Sequence, residues 1–330
     1  MKLEFGFQLA NMEPSRIRDL AQAAEALDYD YIVFPDHIVL EGPERQHDPH
    51  GLAWDMVSVA ASVMAATKKI RVGHLVLCNL FRHPVITAQS LMTLDHLSNG
   101  RLLAGLGSGW TETEFKMTGI PFPPITERLR MLDEATTVIK SLWRNEHTTF
   151  DGEFYHLKDA ILWPKPIQKP CPPIIVGGGG KGLLRVAAKH ADFVNIIPDA
   201  GKKGHISIAK LKEMNDVAYQ EKIHFLREEA KRHGRDPNAI RISSFLFAFN
   251  LTDSKAAARQ MAEAMAPMFQ MSPEGVLGSP MVLIGTPEDC AAELKRRVDK
   301  WGVSQFIFSA FGGIDEKMMR RMKEEVIAHL

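Results

Sequence analysis

Eight short apolar runs, each followed by a segment with helical periodicity, recur along the chain. This alternation limits what the chain can fold into. The runs include IVF, VLC, LLAGL, IIV and FIF. They are continuously apolar rather than alternating, as strands buried on both faces are. Strands are expected at 3–7, 31–34, 71–77, 102–106, 174–176, 193–197, 240–249 and 305–308. Helices are expected at 14–26, 54–67, 84–97, 126–143, 182–190, 210–233, 254–269, 286–301 and 316–329, several with Pro in the first turn.

Eight strand-then-helix units in 330 residues predict a (β/α)8 TIM barrel, a single domain over residues 1–330 with insertions. One insertion falls after the fourth strand, at about 144–173. There Asp151-Gly152 between Phe150 and Phe154 suggests a hairpin, and the prolines from Pro164 to Pro173 suggest an extended loop. A second, at about 270–284, is rich in Gly, Pro and Met and is expected as a loop. The rival architecture, a doubly wound sheet, places phosphate-binding glycines after its first strand. Here the first strand runs into Gln8-Leu9-Ala10-Asn11, with no such run.

Charge excludes some partners. With 40 basic and 40 acidic residues, nothing argues for nucleic acid or an anionic membrane surface. No apolar stretch approaches the roughly 20 residues that span a bilayer. The N-terminus MKLEFGFQLANMEP lacks the basic and apolar regions of a secretory leader. Cys78, Cys171 and Cys290 are widely spaced, without a C-x-x-C pattern. A cytoplasmic protein is therefore expected.

In a barrel, function gathers at the C-terminal ends of the strands. The second strand ends at Asp36-His37, the third leads to Cys78-Asn79, and the fourth ends at Gly107-Ser108-Gly109-Trp110. The fifth ends at Gly177-Gly178-Gly179-Gly180, followed by Lys181. Glycines at two strand exits allow close backbone approach to a flat, anionic ligand shared by both. The 177–180 run opens a helix whose free N–H groups and dipole favour an anion, with a tight turn as the alternative reading. His37 suits proton transfer or substrate orientation. Alternatively it is a structural His tied by Asp36, which would either fix the His37 tautomer or bond backbone. Trp110 reads as a ring wall or as a plug in the barrel mouth. Asn79 reads as a donor to a ring carbonyl or as a turn residue. Glu112 and Glu114 read as structural acids. The clustered His47, Asp48 and His50, with His74 and His83 beside the third strand, lack a metal-site pattern, so no catalytic metal is expected.

The segment RHP-x(4)-Q-x(3)-TLD-x-LS-x-GR-x(3)-GLGSGW-x-x-x-E resembles the bacterial luciferase-like monooxygenase superfamily. So do GIPFPPITERLRMLDEA, TFDGEFYHL, PKPIQKPCPPIIVGGGG, RVAAKHADFVN and IGTPEDCAAEL. The tone is that of its coenzyme F420-dependent oxidoreductase branch. The resemblance implies a ring cofactor at the barrel mouth, F420 or alternatively FMN. It implies a non-proline cis peptide at Leu75-Val76 behind the ring, cofactor contacts from Gly107 to Gly109 and from Gly177 to Gly180, and an active-site His at His37. The expected activity is F420-dependent hydride transfer to or from a small organic substrate. The alternatives are an FMN-dependent monooxygenase fed by a partner reductase and a noncatalytic cofactor-binding barrel. In the sugar-phosphate dehydrogenase branch an acid follows the fourth-strand glycines. Trp110 stands there in this chain, which suits a less polar substrate. The resemblance also implies a homodimer through the second and third helices, with Val57, Ala60, Ala61, Met64, Val85 and Leu91 as candidate contacts or, equally, as core residues.

Overall fold

The computed structural model describes residues 2–39, 51–200, 208–309 and 313–330. The strands are β1 (Glu4–Gln8), β2 (Tyr31–Phe34), β3 (Arg71–His74), β4 (Leu77–Cys78), β5 (Leu102–Gly107), β6 (Thr148–Asp151) and β7 (His156–Ala160). They continue with β8 (Ile174–Gly177), β9 (Phe193–Ile196), β10 (Arg241–Leu246), β11 (Ala248–Leu251), β12 (Val282–Gly285) and β13 (Val303–Ser309). Strands β1, β2, β3, β5, β8, β9, β10 and β13 pair side by side, all parallel. The β3–β5 pairing closes the ring, so the expected (β/α)8 barrel is what forms.

Helices α1 (Pro14–Ala26), α2 (Met56–Ala66), α3 (Pro84–Leu97), α4 (Glu112–Thr118), α5 (Ile125–Arg144) and α6 (Lys181–His190) come first in the chain. Then come α7 (Ile208–Glu213), α8 (Asp216–Arg232), α9 (Lys255–Phe269), α10 (Pro273–Leu277), α11 (Pro287–Trp301) and α12 (Glu316–Arg321). The apolar faces of α1, α2, α3, α5, α6, α8, α11 and α12 pack on the outside of the barrel in one large core, while α9 and α10 pack with β12 in a separate small cluster. A smaller core of Tyr31, Val33, Leu103, Ile175, Phe193 and Ile307 fills the interior. Among the described residues no helix is long and apolar enough to cross a membrane.

Several local expectations are corrected. The third strand does not run unbroken to residue 77, because the peptide Leu75-Val76 is cis and separates β3 from β4. The helix expected at 210–233 is two helices, broken where the Asn215 side chain caps α8 through the Ala218 N–H. The seventh strand is split into β10 and β11. The last helix is α-helical only to Arg321 and continues as a π turn and a 3-10 turn. Helix α4 was not foreseen, because its seven residues are too few for a periodic signal.

The two insertions differ in outcome. β6 and β7 form the expected antiparallel hairpin. Its connection is longer than an Asp-Gly turn, with Gly152 donating to the Tyr155 carbonyl at 3.0 Å. The Glu134 carboxylate accepts the N–H groups of Glu153, Phe154 and Tyr155 and so anchors the turn to α5. The segment 270–284, expected as a loop, holds α10 and β12, and β12 pairs in parallel with β11. Arg297 accounts for that order. Fully buried on α11, it pairs with Glu293 and donates to the Pro280 and Val282 carbonyls, each at 2.7 Å. Such long-range clamping by one side chain leaves no composition signal.

Half of the candidate dimer contacts are core residues of the single chain. Ala60, Met64 and Leu91 are buried, and Val57, Ala61 and Val85 pack partly buried against the same core.

His74 is completely buried beneath α2, with Nε2 3.2 Å from the Met56 carbonyl. Burial opposes its protonation and lowers its pKa from 6.5 to about 4. The unfolded chain therefore takes up the proton first as pH falls, and stability drops between those two values. Acidification from about pH 7 to about pH 4 is expected to remove roughly 3 kcal/mol through this residue alone. Urea unfolding across that range should show the loss in the wild type and a correspondingly smaller loss in His74→Leu.

Candidate active site at the barrel mouth

The exit of β2 is the most constrained part of the mouth. His37 stands three residues beyond the strand, and its Nδ1 lies 3.0 Å from Glu114 Oε2. The other oxygen of Glu114 accepts the N–H groups of Ile38 at 2.7 Å and Val39 at 3.1 Å. Glu114 projects from the first turn of α4, its side chain only 3% exposed against 21% for His37. Glu112, in the same turn, faces solvent and pairs with Lys116. Two acids that read alike in the sequence thus have opposite environments. Glu114 is the residue that the sequence reading took only for a structural acid; the signal that sets it apart from Glu112 was its place as the last residue of the GLGSGW-x-x-x-E pattern. The Trp110 ring stands perpendicular to His37, with centroids 5.7 Å apart and 40% of the residue exposed.

Asp36 does not hold His37. Its Oδ2 accepts the Cys78 N–H at 2.9 Å and Arg82 Nη1 at 2.7 Å, and Arg82 also reaches Asp55 at 3.0 Å. Asp55 in turn caps α2 through the Ser58 N–H. Asp36 therefore ties the exit of β2 to β4 and α2. A catalytic candidate beside His37, Asp36 displays instead the second of its two readings, the bond to backbone, with its carboxylate committed to the Cys78 N–H and the Arg82 guanidinium.

The cis peptide Leu75-Val76 falls where the resemblance put it. Gln8, at the end of β1, donates its amide to the Leu75 carbonyl at 3.0 Å. The Val76 side chain then lies across the tops of the next two barrel strands. A Cβ on Gly107 would meet Val76 Cγ2 at 2.4 Å, and one on Gly177 would meet Cγ1 at 3.3 Å. These two glycines are small because Val76 occupies the space over them. Asn79 is also spoken for, its N–H bonding the Gly107 carbonyl and its side-chain amide the Tyr155 hydroxyl at 3.2 Å. It joins the mouth to the hairpin, so the reading of its amide as a ring-carbonyl donor is not what the contacts display. Gly109 takes φ 73°, and its carbonyl accepts from the buried Arg128, which stacks over Phe122 at 3.9 Å. Ser108 is half-buried, and among the described residues its hydroxyl has only a 3.5 Å contact with the next carbonyl.

At the other exit, Gly180 caps α6 without help from a side chain. Gly178, at φ 149°, donates to the Asn195 carbonyl at 3.0 Å. The ammonium next to this turn belongs to Lys222 of α8, which bonds the Gly179 carbonyl. Lys181, the cation expected there, lies over the Phe225 ring instead. Asp199 is close to Gly180, so any anion at this turn shares it with a carboxylate. Burial lowers the pKa of Lys222, offset in part by Asp199. His47, Asp48 and His50 lie outside the described residues. Among the described residues no three His, Cys, Asp or Glu side chains group as a metal site would require.

The family model for luciferase-like monooxygenase matches residues 4–276. The chain belongs to that family. A full-length relative is the F420-dependent glucose-6-phosphate dehydrogenase of Amycolatopsis mediterranei. It is 25% identical over 342 residues, covering 100% of this chain and 98% of that one. The FMNH(2)-dependent dimethylsulfone monooxygenase of Pseudomonas putida is 30% identical over 177 residues, which cover 53% of this chain and 47% of that one. Among solved structures, an F420-dependent secondary alcohol dehydrogenase in complex with an F420-acetone adduct superposes with a TM-score of 0.79. That match is 20% identical and covers all of both chains, so it speaks for the fold.

For this luciferase-like barrel, the seat of Val76 gives a direct test. Gly107→Ala is expected to destabilise the protein by about 1–3 kcal/mol through overpacking. Adding Val76→Ala should recover most of that loss, and urea unfolding of the two single variants and the double variant measures the coupling.

Proposed function

We propose that this chain is an oxidoreductase that transfers hydride between coenzyme F420 and a small organic substrate, with His37 handling the substrate proton. The observation that carries this reading is an apolar floor at the barrel mouth together with the oriented imidazole of His37. Val76 forms the floor between two glycine exits, and His37 stands beside Trp110 with its Nδ1 side closed by Glu114. A flat deazaflavin fits such a floor, and the full-length F420-dependent relatives support the choice of ring.

When bound, F420 supplies the carbon that gives or accepts the hydride. The rest is the work of the chain. The N–H groups that open α6, with Lys222 nearby, would take an anionic group of the cofactor, as helix N-termini do. Val76 would support the ring, and Ser108 would offer a hydroxyl at its edge. Trp110 would exclude water over the reacting atoms. His37 would move the substrate proton through Nε2, because Nδ1 is engaged.

Trp110 stands where the sugar-phosphate branch keeps an acid, so a less polar substrate than glucose 6-phosphate is the better fit. The second reading, an FMN-dependent monooxygenase with a partner reductase, is favoured by the likeness to the dimethylsulfone enzyme over about half the chain. A homodimer remains the expectation from the resemblance.

Titration of the purified protein with F420 and with FMN, followed by quenching of cofactor fluorescence, separates the readings. Tight F420 binding with negligible FMN binding is expected, and the reverse would overturn the proposal in favour of the monooxygenase. His37→Ala is expected to lower turnover by about 10²–10⁴-fold, the usual worth of a general acid or base, with F420 affinity unchanged. Loss of F420 binding in that variant would instead make His37 part of the cofactor site.

A further inference from the structure

One row of the barrel interior is polar, deeply buried and incompletely hydrogen-bonded. Side chains two residues apart on a strand share a face. Phe193 and Ile307 belong to the interior core, and Phe245 packs against it. Asn195 on β9, Ser243 on β10 and Gln305 on β13 each stand two positions from one of these and so point inward as well. The three are cross-strand neighbours, Asn195 beside Ser243 and Ser243 beside Gln305. They are 2%, 0% and 0% exposed. The row is bounded by Gly177, which has no side chain, and by Glu4, which is paired with Arg71 and Arg241.

Asn195 gives its Nδ2 to Ser243 Oγ at 3.0 Å and reaches the Ser243 carbonyl at 3.4 Å. Among the described residues, nothing donates to Asn195 Oδ1 and nothing accepts the Ser243 hydroxyl proton. Neither Nε2 nor Oε1 of Gln305 meets a partner there either. A buried amide in that state bears its whole desolvation cost, and in folded proteins such groups are bonded to protein or to ordered water. The unfilled valences are complementary. Gln305 Nε2 and Ser243 Oγ have hydrogens to give, while Gln305 Oε1 and Asn195 Oδ1 have lone pairs to receive them. Yet no direct bond joins Gln305 to the other two. A gap wider than a hydrogen bond separates them, the span that a bridging molecule covers.

We propose that this row is a binding site for ordered water, inside the barrel and beside the glycine turn at the exit of β8. The bound water accepts from Gln305 Nε2 and Ser243 Oγ and donates to Gln305 Oε1 and Asn195 Oδ1. A metal cation would suit the two amide oxygens but would repel the Gln305 NH2 group, whereas water serves both ends of the amide. The Asn195 backbone carbonyl also accepts the Gly178 N–H at 3.0 Å, so the hydrated row and the turn meet at one residue.

A crystal structure of the wild-type protein tests this directly. Density is expected for at least one buried water within hydrogen-bond distance of Gln305 and of Ser243 or Asn195. No density there, or density that follows the potassium or sodium salt supplied, would overturn the proposal. The sign of a stability change gives a second test. Gln305→Met keeps the length of the side chain and removes its amide. Were the amide unbonded, this replacement would lift a penalty and stabilise the protein. With water bound, it strips the water of partners, and the unfolding constant from urea denaturation is expected to rise about tenfold. Relaxation dispersion of 17O water counts the long-lived internal waters in solution, and the wild type is expected to exceed Gln305→Met by at least one. A more stable Gln305→Met with an unchanged count would overturn the proposal. A less stable variant beside a wild type without density would overturn it too, leaving Gln305 a packing residue only. If Gln305→Met fails to fold, the wild-type density decides alone.

Discussion

Two buried carboxylates hold the exit of β2, and the geometry of the mouth depends on them. Asp36 binds it to β4 and, through Arg82, to Asp55 and α2. Glu114 reaches it from α4 and takes the next two backbone N–H groups as well as His37. A carboxylate withdrawn from water is tolerated only where its lone pairs are satisfied. Each acid therefore dictates the position of the groups around it. His37 lies between these two anchors, which is why a loop residue past the end of a strand has a defined orientation at all.

The opposite side of the mouth is set by volume rather than charge. The cis peptide at Leu75-Val76, with its carbonyl held by Gln8, turns Val76 over the tops of β5 and β8. The strands can accept it only because Gly107 and Gly177 present no Cβ. In the sequence these glycines suggested backbone open to a ligand. In the fold they are covered by a side chain, and it is Val76 that offers the apolar face.

Much of the architecture was legible, because its signals are local. Continuous apolar runs, helical periodicity and first-turn prolines are written within ten or fifteen residues, and together they specify eight βα units. The hairpin at 148–160 was legible for the same reason. The order in 270–284 was not, since Arg297 supplies it from α11 through contacts with carbonyls fifteen and seventeen residues upstream. Of the candidate site, His37, Trp110 and the two glycine exits were legible from their places at strand ends, and the cis peptide from family resemblance. Asp36, Asn79 and Lys181 were legible as positions but not as partners.

By itself the sequence determined a parallel barrel, the end of it at which chemistry takes place and the family to which the chain belongs. These follow from residue type and short-range pattern. Only the tertiary structure decided which acid stands behind His37, which lysine accompanies the glycine turn and what rests on Gly107. These pairs join groups on different elements, His37 and Glu114 77 residues apart, Gly179 and Lys222 43 apart, and Val76 and Gly107 about 30 apart in the chain. Glu112 and Glu114 are the same residue type two positions apart on one short helix. Helical geometry turns one to solvent and the other inward, and closure of the barrel places an imidazole where the inward one arrives.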